Sequence, residues 1–117
     1  QAIQLLSGEG QAPQTAQFAA CYAARNALAL LELLLPMEKW KREQLIPVLE
    51  QLREYLAELL VLRSGLGTPD DTQKKILQGR TGAELLAAAN NLQTAIDDLN
   101  ANVGAGAVIG WLSLQLR

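Results

Sequence analysis

The side chains that most often do chemistry are scarce in this sequence. It contains no histidine, and Cys21 is its one cysteine. Cys21 stands among Phe18, Ala20, Tyr22 and Ala24, and no imidazole exists to take its proton. A small core thiol fits that setting better than a nucleophile. Metal ligation would fall to carboxylates. The candidates are the adjacent pairs Asp70-Asp71 and Asp97-Asp98, and adjacent side chains diverge around a helix instead of converging on one ion. A helix start explains the first pair and a solvated face the second. Gly65-Leu66-Gly67-Thr68 lacks the lysine and the spacing of a phosphate-binding loop. Gly104-Ala105-Gly106 follows no strand, so it is no dinucleotide fingerprint. No catalytic, cofactor-binding or metal-binding residue is assigned, and no cofactor is expected.

Two groups could make contacts with other molecules. Lys39, Lys41 and Arg42 surround Trp40, and Lys74, Lys75 and Arg80 could extend them into a basic patch for nucleic acid or an acidic partner. Solvated helix surface is the plainer reading. A net charge of −2 and a pI of about 5.0 argue against sequence-independent nucleic-acid binding. Trp40 then serves to staple one helix end to another. The second group is the apolar run Val103 to Leu116, where Val103, Ala105, Ala107, Val108, Ile109, Trp111, Leu112, Leu114 and Leu116 cover almost every direction of a helix. Such a helix must be covered nearly all round, by its own domain or by a partner. Val108, Trp111, Leu112 and Leu116, with Trp40 the weaker member, are the interface candidates.

The elements that position these residues are helical. Leucine and alanine dominate, both strong helix formers, and β-branched residues are few. Leu85, Leu86, Ala89, Leu92, Ala95, Ile96 and Leu99 recur at three and four. They open a final helical stretch, Leu85 to Arg117, which Asn100 or Asn102 can break in two. Thr81-Gly82-Ala83-Glu84 is a capping-box pattern that starts it. Gln14 to about Leu35 reads as one long helix ended or kinked by Pro36. Its crowded end, Leu30 to Leu35, reads as buried on more than one side. Leu45 to Arg63 keeps helical spacing around Pro47. Either a short helix over Glu38–Arg42 precedes a long one starting near Ile46, which is preferred, or one helix bends at Pro47. Ser64 and Gly65 close it. Thr68-Pro69-Asp70-Asp71 opens a short helix to about Leu77, with Thr68 as its cap.

These add up to an all-α bundle of about five helices in one domain. The expected core is Phe18, Leu28, Leu31, Leu49, Leu52, Leu56, Leu59, Leu85, Leu92, Ile96 and Leu99. Residues 1–8 read as the tail of a preceding helix, 9–13 as a linker, and 14–117 as the domain itself. The opening QAIQLLSGEG lacks the pattern of a secretion signal, and the missing initiator Met suggests a piece of a longer protein. Ala27 to Leu35 is too short to cross a bilayer. A single cysteine makes a reducing compartment the default.

The run AIDDLNANV followed by GWLSLQLR, within Leu92 to Arg117, resembles the C-terminus of the bacterial DNA polymerase III delta-prime subunit. Asn100, Ala101 and Asn102 match the family's Asn-rich junction. Trp111, Leu112, Leu116 and Arg117 match its Leu/Arg tail. Lys41 to Gly65, especially LAELLVLRSG, resembles the family's middle helix, and AIQLLSG resembles the last helix of the preceding lid domain. Gly104 and Gly106 depart from the family, which tends to carry Asn or larger residues there. The related gamma/tau subunits share the architecture. The resemblance implies a non-catalytic collar domain that holds its subunit in a five-membered clamp-loader ring in the bacterial cytoplasm. Its partners would be other subunits, gamma/tau and delta, met through collar helices. DNA and the sliding clamp would be met indirectly, and no membrane is involved.

Overall fold

The computed structural model describes residues 13–116. The expectations for residues 1–12 and for Arg117 lie outside them. The described residues form six α-helices: α1 (Pro13–Ala23), α2 (Ala27–Leu34), α3 (Arg42–Arg63), α4 (Asp71–Gly79), α5 (Gly82–Asn100) and α6 (Ala105–Gln115). A 3₁₀ turn, Leu35–Lys39, links α2 to α3. The class is all-α, as expected, with one helix more than foreseen.

The extra helix comes from a break in the stretch read as continuous. Arg25 adopts φ 54°. Its N–H donates to the Tyr22 carbonyl at 3.3 Å, and the Asn26 N–H donates to the Cys21 carbonyl at 3.1 Å. That is a Schellman closure with arginine, not glycine, in the left-handed position. Asn26 then caps α2 by accepting the Ala29 N–H at 3.0 Å. The same closure ends α5, with Asn102 at φ 70° and the Val103 N–H donating to the Asp98 carbonyl at 2.9 Å. The asparagine-rich junction therefore breaks the final stretch as its composition suggests.

The preferred division of the middle region is corrected. No separate helix covers Glu38–Arg42; α3 begins at Arg42 and runs through Pro47. Pro47 is the sixth residue and exposed, so it removes one hydrogen bond near a helix end that is secured in other ways. The Gln44 side chain accepts the Lys41 N–H at 3.2 Å. Arg42 reaches across to α5. The cap of α4 is also two places later than Thr68-Pro69 suggested: Asp70, not Thr68. Asp70 accepts the Gln73 N–H at 2.8 Å, and the Gln73 side chain accepts the Asp70 N–H at 2.9 Å. The capping box at Thr81 and Glu84 forms as read, at 3.1 and 3.0 Å.

Among the described residues, α3 and α5 form the largest helix–helix contact. They run antiparallel: Arg42 meets Leu99, Arg53 meets Gln93, and Arg63 meets the Arg80 carbonyl. Leu45, Leu49, Leu52, Leu56 and Leu59 face Leu85, Leu92, Ala95, Ile96 and Leu99 in the same buried core. α6 lies on the 3₁₀ turn and α5, while α1 packs on α2 and α4. Nine of the eleven expected core positions are buried. Leu28 is not: it is 64 % exposed. Leu31 is half-buried. Both lie on α2, whose inward positions are Leu30 and Leu34.

Candidate interaction surface and the polar framework behind it

Helix C-termini need partners for their last carbonyls, because those oxygens lack an intrahelical donor. The last turns of α1, α4 and α5 contain no basic residue of their own. The cations arrive from other elements. Arg80, in the α4–α5 link, donates from Nε and Nη2 to the Tyr22 carbonyl at the end of α1, at 3.3 and 3.1 Å. Arg63 of α3 donates to the Leu77 and Arg80 carbonyls at the end of α4, at 3.2 and 3.3 Å. Arg25 donates to the Gly79 carbonyl, also at the end of α4. Arg42 donates to the Leu99 carbonyl of α5 at 3.3 Å and to the Asn102 side chain. The fifth arginine of the described residues, Arg53, joins α3 to Gln93 of α5. Each guanidinium thus ties two elements together. Four of them complement the negative end of a helix supplied by a different part of the chain.

Arg80 is the most deeply placed. Extended backbone at this residue, φ −133° and ψ 145°, turns its side chain inward, where it is 3 % exposed. The guanidinium carbon lies 3.5 Å from the centroid of the Tyr22 ring, and that ring stacks on Phe18 at 5.1 Å. Burial pulls the Arg80 guanidinium below its ordinary value and pushes the Tyr22 phenol up. Glu84 lies 3.8 Å from Arg80 and 3.4 Å from Arg25. The Thr81 N–H, then these two arginines, hold its carboxyl below the usual range. Around this cluster the residues Tyr22, Arg80, Glu84, Gln115 and Leu116 line a small cleft of about 130 Å³. Its one carboxylate already faces both cations, which suits a structural joint better than a binding site.

The basic patch does not assemble. Arg42 and Arg80 are engaged in caps. Lys39 and Lys41 sit beside the start of α3, whereas Lys74 and Lys75 ride on α4, which joins α3 near its far end through Glu58–Gln73 and Arg63–Leu77. The stretch of α3 from Arg42 to Glu58 separates the two groups, which is about 24 Å at 1.5 Å per residue. Trp40 is half-buried against the core and lines an open cleft of about 340 Å³ with Leu99, Val103 and Ala105.

Three of the four interface candidates in and just after α6 are placed inside. Val108, Leu112 and Leu116 are buried in this chain's own core, and Trp111 is half-buried against it. Of the two coverings open to that helix, its own domain supplies the one for these three residues, so they have no face left for a partner. The largest apolar side chains left outside are Leu28 and Leu35 on α2 and its continuation, with single residues elsewhere: Val61, Leu66, Leu86, Val103 and Leu114. Sequence reasoning missed α2 as a surface because it read crowded leucines as inward-facing. Leu28, Leu31 and Leu35 repeat at three and four on the side away from Leu30 and Leu34, and that second stripe was the available signal.

Cys21 is half-buried, and burial raises its thiol, in line with a packing role. Among the described residues no group of three acidic or cysteine side chains is gathered for a metal, and no helix is long and apolar enough to cross a membrane. No protein-family model, no curated protein and no solved structure matches the chain.

Proposed function

We propose that the chain is a non-catalytic oligomerisation module, the collar-type domain of a bacterial clamp-loader subunit of the delta-prime kind. The observation that carries the reading is the capping of helix ends by arginines from other elements. The fixed polar groups hold helix to helix: even where Arg42 and Asn102 border the open cleft beside Trp40, Arg42 is bonded to Asn102 and to the Leu99 carbonyl. A bundle tied in this way keeps its outer faces in fixed relative positions, which is what a member of a ring must do. The stretches that resemble the family, Lys41 to Gly65 and Leu92 to Arg117, supply α3, the second half of α5 and α6, so the likeness falls on helices that pack on one another. In this reading the partners are the collar helices of gamma/tau and delta subunits in the cytoplasm. DNA and the sliding clamp are reached only through the whole complex. A gamma/tau collar is the companion reading, since the two families share the architecture.

The test is light-scattering mass on a size-exclusion column. The chain is run alone and then mixed with purified collar domains of the same organism's gamma/tau and delta subunits. A new peak holding both chains is the expected result. A chain that stays monomeric with every subunit at tens of micromolar, or that binds oligonucleotides with a steep salt dependence, overturns the reading.

A further inference from the structure

The leucines of α2 lie on two opposite sides. Leu30 and Leu34 enter the core. One hundred degrees per residue puts Leu28, Glu32 and Leu35 on the opposite side, with Leu31 on its flank. Leu35 keeps helical backbone, φ −54° and ψ −44°, so the stripe continues past the formal helix end. Leu28 is 64 % exposed and Leu35 43 %. The other large exposed apolar residues, Val61, Leu66, Leu86, Val103 and Leu114, occur one to an element, as is ordinary for a protein surface. Among the described residues α2 with its continuation differs in carrying two on one face.

Glu32 stands in the middle of this stripe, four residues after Leu28 and three before Leu35. It is exposed, and neither ion pair among the described residues includes it. A carboxylate between leucines selects its occupant. A second copy of this chain docking by the same face would bring two Glu32 carboxylates together at the two-fold axis, because Glu32 lies near the centre of the stripe. A different helix carrying lysine or arginine between apolar residues would match both the leucines and the charge. Three leucines also fall short of the ~800 Å² per partner typical of a contact that is stable by itself. The occupant must therefore be held at further points, as neighbours in a ring are.

We propose that Leu28, Leu31, Glu32 and Leu35 form the docking face for an amphipathic helix of a different subunit, with a cationic side chain opposite Glu32. This rests on the oligomerisation reading above. It also gives a purpose to the crowded leucines: they are covered on two sides, the second side by another chain.

The experiment uses the wild-type complex from the mass measurement and follows its dissociation constant by fluorescence anisotropy at two salt concentrations. The double variant Leu28→Gln/Leu35→Gln should weaken binding tenfold or more. Glu32→Gln should weaken it several-fold and flatten the salt dependence. Leu86→Gln, an exposed leucine on α5, should leave it unchanged, and circular dichroism should show every variant folded. If the wild type binds and the double variant binds equally well, the α2 face is overturned while the oligomerisation reading stands. If the wild type binds no subunit, both fall. A wild-type self-dimer that the double variant dissolves overturns the hetero-subunit assignment in favour of a second copy.

Discussion

α5 and α2 both draw their apolar residues mainly from leucine and alanine and end in different situations. In α5, Leu85, Leu92, Ala95, Ile96 and Leu99 are buried, and Asn90, Thr94 and Asp97 are exposed. Apart from Leu86, its large apolar residues fill one side, and α3 and α6 cover that side. In α2 the buried pair Leu30 and Leu34 is matched by Leu28 and Leu35 facing out. Periodicity reports how many sides of a helix are apolar; what covers each side depends on elements elsewhere. The contrast breaks or holds on a pair of truncations. Leu92→Ala removes a fully buried side chain and should cost about 2–5 kcal/mol. Leu28→Ala should stay within about 0.5 kcal/mol. Urea unfolding of the isolated chain reads both. A loss above about 1 kcal/mol at Leu28 would mean that the outward side of α2 is already covered within the chain, and the comparison would collapse.

The arginine caps allow a second, smaller contrast. Arg80 and Arg42 do the same thing at two helix ends, but Arg80 is enclosed and Arg42 is exposed. Arg80→Met keeps much of the apolar stem and strands the Tyr22 carbonyl. It should cost about 1.5–3 kcal/mol, the range for a hydrogen bond to a charged group. Arg42→Met removes a donor that itself faces solvent, so water can take part of its place, and should cost less, under about 1 kcal/mol. Thermal unfolding separates them. Equal losses would show that capping across helices, not burial, sets the energy of these joints.

Much of this architecture was legible in the chain. The α3–α5 core could be read because leucines at three and four are opposed by polar residues on each helix. The Thr81 box and the break at Asn100–Asn102 could be read because those residue types favour the backbone that caps demand. The break at Arg25 could not. A left-handed residue costs any L side chain about 1–2 kcal/mol, and nothing local marks arginine as the one to bear it. Its position is fixed by Gly79 and Glu84, which lie more than fifty residues later. The caps were hidden for the same reason. Arg42 and Arg80 looked like members of a basic patch, and their partners are carbonyls that the sequence does not bring near. Leu28 reads as inward from sequence because the sequence offers no way to tell a second stripe for a partner from a second stripe for the core. Val108, Leu112 and Leu116 presented the same ambiguity, and in their case the covering comes from within.

The two tyrosines carry the comparison into pH. Tyr22 lies under Arg80, whose charge offsets part of the rise that burial imposes on its phenol. Tyr55 has no such cation. Burial first, then the carboxylates of Asp70 and Glu58, push its phenol from 10.0 up to about 12. A phenol that ionises later in the folded chain than in the unfolded chain binds its proton more tightly when folded. Its contribution to stability is therefore whole below pH 10 and is lost as pH rises from there towards 12. Wild-type urea midpoints should fall across that window. Tyr55→Phe should fall less steeply there, while matching wild type in slope at pH 8. A phenolate absorbance titration should lose its latest-ionising group in the same variant. If Tyr55→Phe follows the wild-type curve throughout, the alkaline loss belongs to other groups, and Tyr55 is no more constrained than the phenol beneath Arg80.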